Sequence, residues 1–153
     1  MNQPKQTEIL LVEDSQDDLD MTLRALHKAN IANHIQIARD GAEALEFIFC
    51  EGAHAGRRIE NIPKLILLDL KLPKIDGMEV LKRIKGDPRT KMIPVVILTS
   101  SKEQKDVIES YGLGGNSYIV KPVDFESFAA TVKNLGMYWL LLNQPPKPDP
   151  APL

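Results

Sequence analysis

Four apolar runs of this chain end in side chains whose types suit one chemistry. In LLDLKLPKIDG, residues 67–77, the run ends at Asp69 and then breaks into a loop containing proline and glycine. A second run ends in Glu13 and Asp14, a third in Thr99 and Ser100, and a fourth in Lys121, followed by Pro122. If these ends meet, three carboxylates share one crevice. Close anions repel, so either one takes up a proton or a cation sits among them. Clustered hard oxygens suit Mg2+, commonly held by one or two carboxylates with waters and a phosphate. Ca2+ would want a fuller protein cage, and no EF-hand loop is present. The cation, the Thr99 hydroxyl and the Lys121 ammonium could together neutralise three phosphoryl oxygens. Asp69 would then be a nucleophile able to accept a phosphoryl group. Each group alone has a plainer explanation: Glu13 and Asp14 could favour the positive end of a helix, Thr99 could be a cap, and Lys121 a surface charge.

Whether the ends meet depends on the elements that carry them. Five short runs, ILLV (9–12), HIQIA (34–38), LILL (65–68), PVVIL (94–98) and SYIV (117–120), read as strands. Four lack clean alternation, as expected for a sheet covered on both faces, while HIQIA alternates more and suits an edge. Helical patterns fall between them. Leu19, Leu23 and Leu26 share a face after the first strand. Asp40 with Glu43, and Asp76 with Glu79, have the spacing of capping boxes. A fourth helix would start near Ser101 and carry Val107, Ile108 and Tyr111, and a fifth would follow Asp124. Alternating strands and helices imply a parallel sheet with right-handed crossovers. The expected fold is α/β, a flavodoxin-like (βα)5 doubly wound sheet in strand order 2-1-3-4-5. Ligands of such sheets bind outside the carboxyl ends of the strands at the switch in strand order, here between strands one and three. Glu13, Asp14 and Asp69 occupy those two ends.

The 153 residues suffice for one domain, expected over 8–142, with a disordered start (1–7) and a disordered proline-rich tail (143–153). Nineteen basic and twenty-one acidic side chains leave a net charge of −2, so broad attraction to nucleic acid or membrane is not expected. The single cysteine, Cys50, excludes an internal disulfide and reads as a small residue at a helix end. No signal-peptide pattern or membrane-length apolar run appears, so a cytoplasmic location is expected. His27, His34 and His54 lack ligand spacing and are expected at the surface, and GLGG (112–115) reads as a turn. The segment 50–64 is longer than usual for its position. MYWLLL (137–142) would bury one side of the last helix and leave Tyr138 and Leu141 for a partner.

VED (12–14), LLDLKLPKIDG (67–77), ILTSS (97–101) and YIVKPV (118–123), in this order, resemble the receiver domain of bacterial two-component response regulators across roughly residues 8 to 140. The resemblance implies that Glu13 and Asp14 form an acidic pocket for Mg2+, with Asp69 the phosphoacceptor and the Lys71 carbonyl a further metal ligand. It implies that Thr99 and Lys121 bind the phosphoryl group and that the Lys121–Pro122 bond is cis. Tyr118 would follow Thr99 in a switch of the helix 4–strand 5–helix 5 surface. Two positions depart from the common pattern: Leu72 replaces a frequent methionine, and Lys71 overhangs the site where other residues are common, which leaves phosphoryl lifetime open. Within the family the chain looks like single-domain receivers paired with phytochrome histidine kinases. Such a protein would be a signalling module rather than an enzyme with a separate substrate, and would act without DNA. A homodimer is expected through a surface including Tyr111, Tyr138, Trp139 and Leu141. A flavodoxin-type electron carrier would want a phosphate-cradling loop in place of the acidic EDSQDD. An aspartate-nucleophile phosphatase would want an Asp-x-Asp pair there. A phosphorylation-independent binding module remains the alternative within the receiver family.

Overall fold

The computed structural model describes residues 9–28, 34–59, 62–100 and 104–121, together with 126 and 130. Five strands, β1 (Ile9–Val12), β2 (Ile35–Ala38), β3 (Leu65–Leu68), β4 (Val95–Thr99) and β5 (Ser117–Val120), pair in parallel in the order β2-β1-β3-β4-β5. The three central strands are buried along their whole length, whereas the edge strands β2 and β5 are mostly half-buried. β4 extends one residue past the expected run, which makes Thr99 its last residue. Four helices, α1 (Gln16–Lys28), α2 (Gly41–Ile48), α3 (Gly77–Gly86) and α4 (Gln104–Gly112), connect them. Successive strand residues point to opposite faces. Ile9, Leu11, Leu65 and Leu67 therefore pack with Leu19 and Leu26 of α1, while Leu10, Val12, Ile66 and Leu68 pack with α2 and α3. Full burial of each such side chain contributes about 1.5–3 kcal/mol, so the strand ends that carry the acids belong to the most strongly anchored part of the molecule.

The two expected capping boxes behave differently. Asp40 caps α2, its side chain accepting from the Glu43 amide at 2.7 Å. Asp76 makes no side-chain cap on α3, and Glu79 instead pairs with Arg83 at 3.0 Å. At the same helix start the Gly77 amide donates to Leu70 O at 2.8 Å, so the main chain satisfies the first free donor of the helix. α4 also departs from its pattern. Val107 is half-buried, but Ile108 is 63% and Tyr111 49% exposed, and the buried residue is Ser110, whose hydroxyl donates to Val107 O. His27 and His34 are exposed as expected; His54 is half-buried, edge-on to the Phe47 ring at 5.0 Å. It belongs to a single 3-10 turn, Gly52–His54, within the long connection before β3. Arg57 of the same connection lies over the Phe47 ring, 3.6 Å from its centroid, and donates to Phe47 O. The expected fifth helix, the terminal segments, Pro122, Tyr138, Trp139 and Leu141 lie outside the described residues, apart from Glu126 and Ala130, which are helical. Among the described residues no helix is long and apolar enough to cross a membrane.

Candidate metal and phosphoryl site

The parallel register brings the acidic ends together. Val12 of β1 lies beside Leu68 of β3, so the next residues, Glu13 and Asp69, stand side by side. The Asp69 amide donates to Val12 O at 3.1 Å and the Glu13 amide to Ala38 O at 2.9 Å, extending the sheet past both strands. Glu13, Asp14 and Asp69 each offer a carboxylate oxygen, and these oxygens lie within 4.8 Å of one another. Glu13 and Asp69 are buried, and Asp14 faces solvent. From the far side comes Lys121, just past β5, with its side chain 9% exposed. Its Nζ lies 3.0 Å from Asp69 Oδ2, 2.9 Å from Asp18 Oδ2 and 2.5 Å from Glu13 Oε1. The first two contacts are aligned hydrogen bonds; the third is a charge contact that leaves Glu13 Oε1 without a hydrogen-bond donor.

Burial sets the charge balance here. Desolvation pushes the Glu13 carboxyl up to about 7, assisted by the Asp69 charge and opposed by Lys121. Burial alone would discharge Lys121, but its contacts with Glu13, Asp18 and Asp69 outweigh that and hold its pKa above the ordinary lysine value. One ammonium thus neutralises part of a four-carboxylate cluster and leaves it short of positive charge. A buried Glu13 oxygen without a donor, beside two more hard oxygens, fits a small divalent cation. Receiver domains bind Mg2+ or Mn2+ in such an acidic pocket. Cation binding must displace the Glu13 proton. Mg2+ affinity is therefore expected to climb by up to about tenfold per pH unit below 7 and to level off above it. Isothermal titration from pH 5.5 to 8 checks this, and Glu13→Gln should flatten the profile. The sign for the metal-free fold is opposite. The folded state holds this proton more tightly than the unfolded chain, so the contribution of Glu13 to stability is greatest below about 4.5 and declines by up to about 3 kcal/mol as pH rises to 7.

The remaining candidates are placed as follows. Thr99 is fully buried at the end of β4, and its carbonyl accepts from the Lys121 amide at 2.8 Å, tying the two residues together. Ser100 is exposed. The Lys71 amide donates to Asp69 Oδ1 at 3.2 Å while its side chain is exposed. Tyr118 pairs with Ile97 across β4 and β5 and packs, half-buried, against the core on the α2–α3 face. Tyr111 is exposed on α4. Two site neighbours were not anticipated. Asp18 supplies a third acid to Lys121, and Arg39 donates to Asp14 O at 3.0 Å and to Gln16 Oε1 at 3.1 Å. The spacing of Asp18, four residues after Asp14 in the first turn of α1, was the available signal.

A family model described as the response regulator receiver domain matches residues 9–133. The chain is 41% identical over 141 residues to a probable methanogenesis regulatory protein, FilR2, of Methanothrix harundinacea, covering 92% of this chain and 88% of that one. It is 43% identical over 134 residues to the response regulator Rcp1 of Synechocystis sp., covering 86% and 88%. The structure of the Mn2+-bound form of Rcp1 superposes with a TM-score of 0.73 at 40% identity, covering 93% of this chain and 99% of that one. The bacteriophytochrome response regulator RtBRR superposes with a TM-score of 0.82 at 48% identity, covering 92% and 84%. The family model and these relatives span all five strands and the strand ends that carry Glu13, Asp14, Asp69 and Lys121, and the chain belongs to the response regulator receiver domain family, signalling proteins of two-component systems.

Proposed function

We propose that this receiver accepts a phosphoryl group on Asp69 from a phosphohistidine of a histidine kinase of the phytochrome type. The observation that carries the reading is the Asp69 carboxylate, buried at the end of a central strand with one oxygen on the Lys71 amide and the other on the Lys121 ammonium. This grip holds the nucleophile at a fixed angle to the mouth of the crevice. In the transfer a carboxylate oxygen of Asp69 forms the new P–O bond while the bond to the donor breaks, and the donor leaves with the electron pair. The Lys121 ammonium pairs with one phosphoryl oxygen and the Thr99 hydroxyl donates to another. Glu13, Asp14, Asp69 and the carbonyl of Lys71 would hold Mg2+, which when bound offsets negative charge on the carboxylates and the phosphoryl oxygens. The phosphoryl oxygens and about one added negative charge at Asp69 draw Thr99 inward, and Tyr118 follows toward the space, which changes the surface of α4 and β5. Ile108 and Tyr111 on α4 give that surface an apolar face suited to a second copy of the chain. The receiver would extend over 8–142 between disordered ends, work in the cytoplasm without DNA, and catalyse only its own phosphorylation and slow hydrolysis. The relation to Rcp1 and RtBRR supports the choice of a phytochrome-type donor.

Intact mass after incubation with fresh acetyl phosphate and Mg2+ tests the reading. One phosphoryl adduct is expected, absent in Asp69→Asn and without divalent cation. No adduct on the native chain would replace this reading with a phosphorylation-independent binding module.

A further inference from the structure

The Lys121 ammonium sits among three carboxylates, donating hydrogen bonds to Asp18 and Asp69 and in charge contact with Glu13, so an incoming anion must compete for it. Two of the three acids, Glu13 and Asp69, are buried beside it at the strand ends. Asp18 differs. It comes from α1, its side chain is 36% exposed, and it closes on Lys121 from the solvent side across 103 residues of sequence. The Ser15 hydroxyl caps this turn, accepting from the Asp18 amide at 3.3 Å, which fixes the Asp18 backbone while leaving its carboxylate free to turn out to water.

From this geometry we propose that Asp18 is a positioning residue: a displaceable counter-ion that holds the Lys121 ammonium between transfers and yields it when a phosphoryl group arrives at Asp69. The inference rests on the proposed function. Asp18 Oδ2 and Asp69 Oδ2 lie within 3.0 Å of the same nitrogen. A phosphoryl group on Asp69 brings three oxygens into the space that Asp18 faces and, with the carboxylate charge consumed in the new bond, a net gain of about one negative charge. Like-charge repulsion and competition for the ammonium both act against the Asp18 contact, and this is the acid with solvent to receive it. Lys121 therefore exchanges one anion for another rather than gaining a bond. Transfer into the native site carries the cost of breaking the Asp18 contact, and a phosphodonor, itself an anion, meets an extra negative charge at the mouth.

Removal of the Asp18 charge should consequently speed phosphorylation. The loss of a merely structural contact would slow it. Asp18→Asn is expected to form the Asp69 adduct about fivefold faster from acetyl phosphate at saturating Mg2+, the size of one partly exposed ion pair. Asp18→Glu, which can restore the contact, should return near the native rate. Asp17→Asn controls for long-range charge, since Asp17 is exposed on the same turn and has no part in the Lys121 cluster. The experiment is a time course of intact mass for the native chain and these three variants. Acceleration confined to Asp18→Asn supports the inference. Equal rates in Asp18→Asn and Asp17→Asn, or a slower Asp18→Asn, overturn it while leaving the proposed function in place. A native chain that takes no phosphoryl group ends both.

Discussion

Lys121→Met is expected to destabilise the metal-free protein by about 3–5 kcal/mol at pH 8 and distinctly less at pH 6. The range is that for removing one partner of a buried ion pair, because the partners left behind remain buried and charged. Here they are Glu13 and Asp69, both nearly inaccessible to water, while Asp18 can turn outward. The pH dependence follows from relief by protonation. Glu13 already stands at about 7 beside the ammonium, because burial and the Asp69 charge raise it. Without Lys121 it moves higher still, so at pH 6 it takes a proton and spares the fold most of the repulsion. At pH 8 it does so only at greater free-energy cost. Mg2+ should return part of the lost stability at pH 8 by replacing the missing positive charge. Urea unfolding at both pH values, with and without Mg2+, gives the answer. A loss independent of pH would mean that packing of the lysine stem, rather than charge, accounts for its effect.

Gly77→Ala should cost roughly 3 kcal/mol and sharply reduce phosphorylation of Asp69. Helix propensity alone argues the other way, since alanine in a helix is favoured over glycine by about 1 kcal/mol. Position 77, however, begins α3 folded back against the end of β3. A Cβ there would lie 2.2 Å from Asp69 O, 2.6 Å from Leu70 Cα and 2.8 Å from Leu70 O. All three are main-chain atoms, which cannot swing aside as a side-chain tip can. Overpacking of this kind costs about 1–3 kcal/mol or more, and it outweighs the propensity gain. The displaced atoms belong to Asp69, the proposed phosphoacceptor, and its neighbour, so stability and chemistry should fail together. Gly86→Ala, at the other end of α3 where a Cβ meets nothing within 4 Å, should be neutral or stabilising. Thermal melts of both variants with phosphorylation time courses separate the close-approach effect from helix propensity.

Strand positions were legible because three strands are buried on both faces, and such strands must be continuous apolar runs, as ILLV, LILL and VVIL are. The site was legible for the same reason: each charge stands where an apolar run stops. Parallel strands all end on one side of the sheet, which turns four separate sequence positions into one cluster. The alternation of strands with helices carried the topology, since right-handed crossovers leave few orders for five strands.

Other features depended on the folded chain. Asp76 has the spacing of a cap, but its side chain makes no cap bond, and the Gly77 amide finds Leu70 O, a partner set by how α3 meets the loop. Val107, Ile108 and Tyr111 form an apolar line, yet only contact with a neighbouring element buries such a line, and α4 leaves Ile108 and Tyr111 in solvent. The connection after α2 gave no local sign that Arg57 would stack on Phe47. Asp18 is the sharpest case. Local sequence marks it as a helix-start acid, suited to the positive end of α1. Its closure on Lys121 exists because β1 and β5, three strand positions apart in the sheet, run parallel and end on the same side of it, β5 two residues beyond the level of Val12. The sequence by itself determined which candidate residues stand at the ends of which strands, because periodicity and burial are local properties of the chain. The tertiary structure decided how many acids share the one ammonium, because a sum of charges is settled by distance in space and leaves no trace in spacing along the chain.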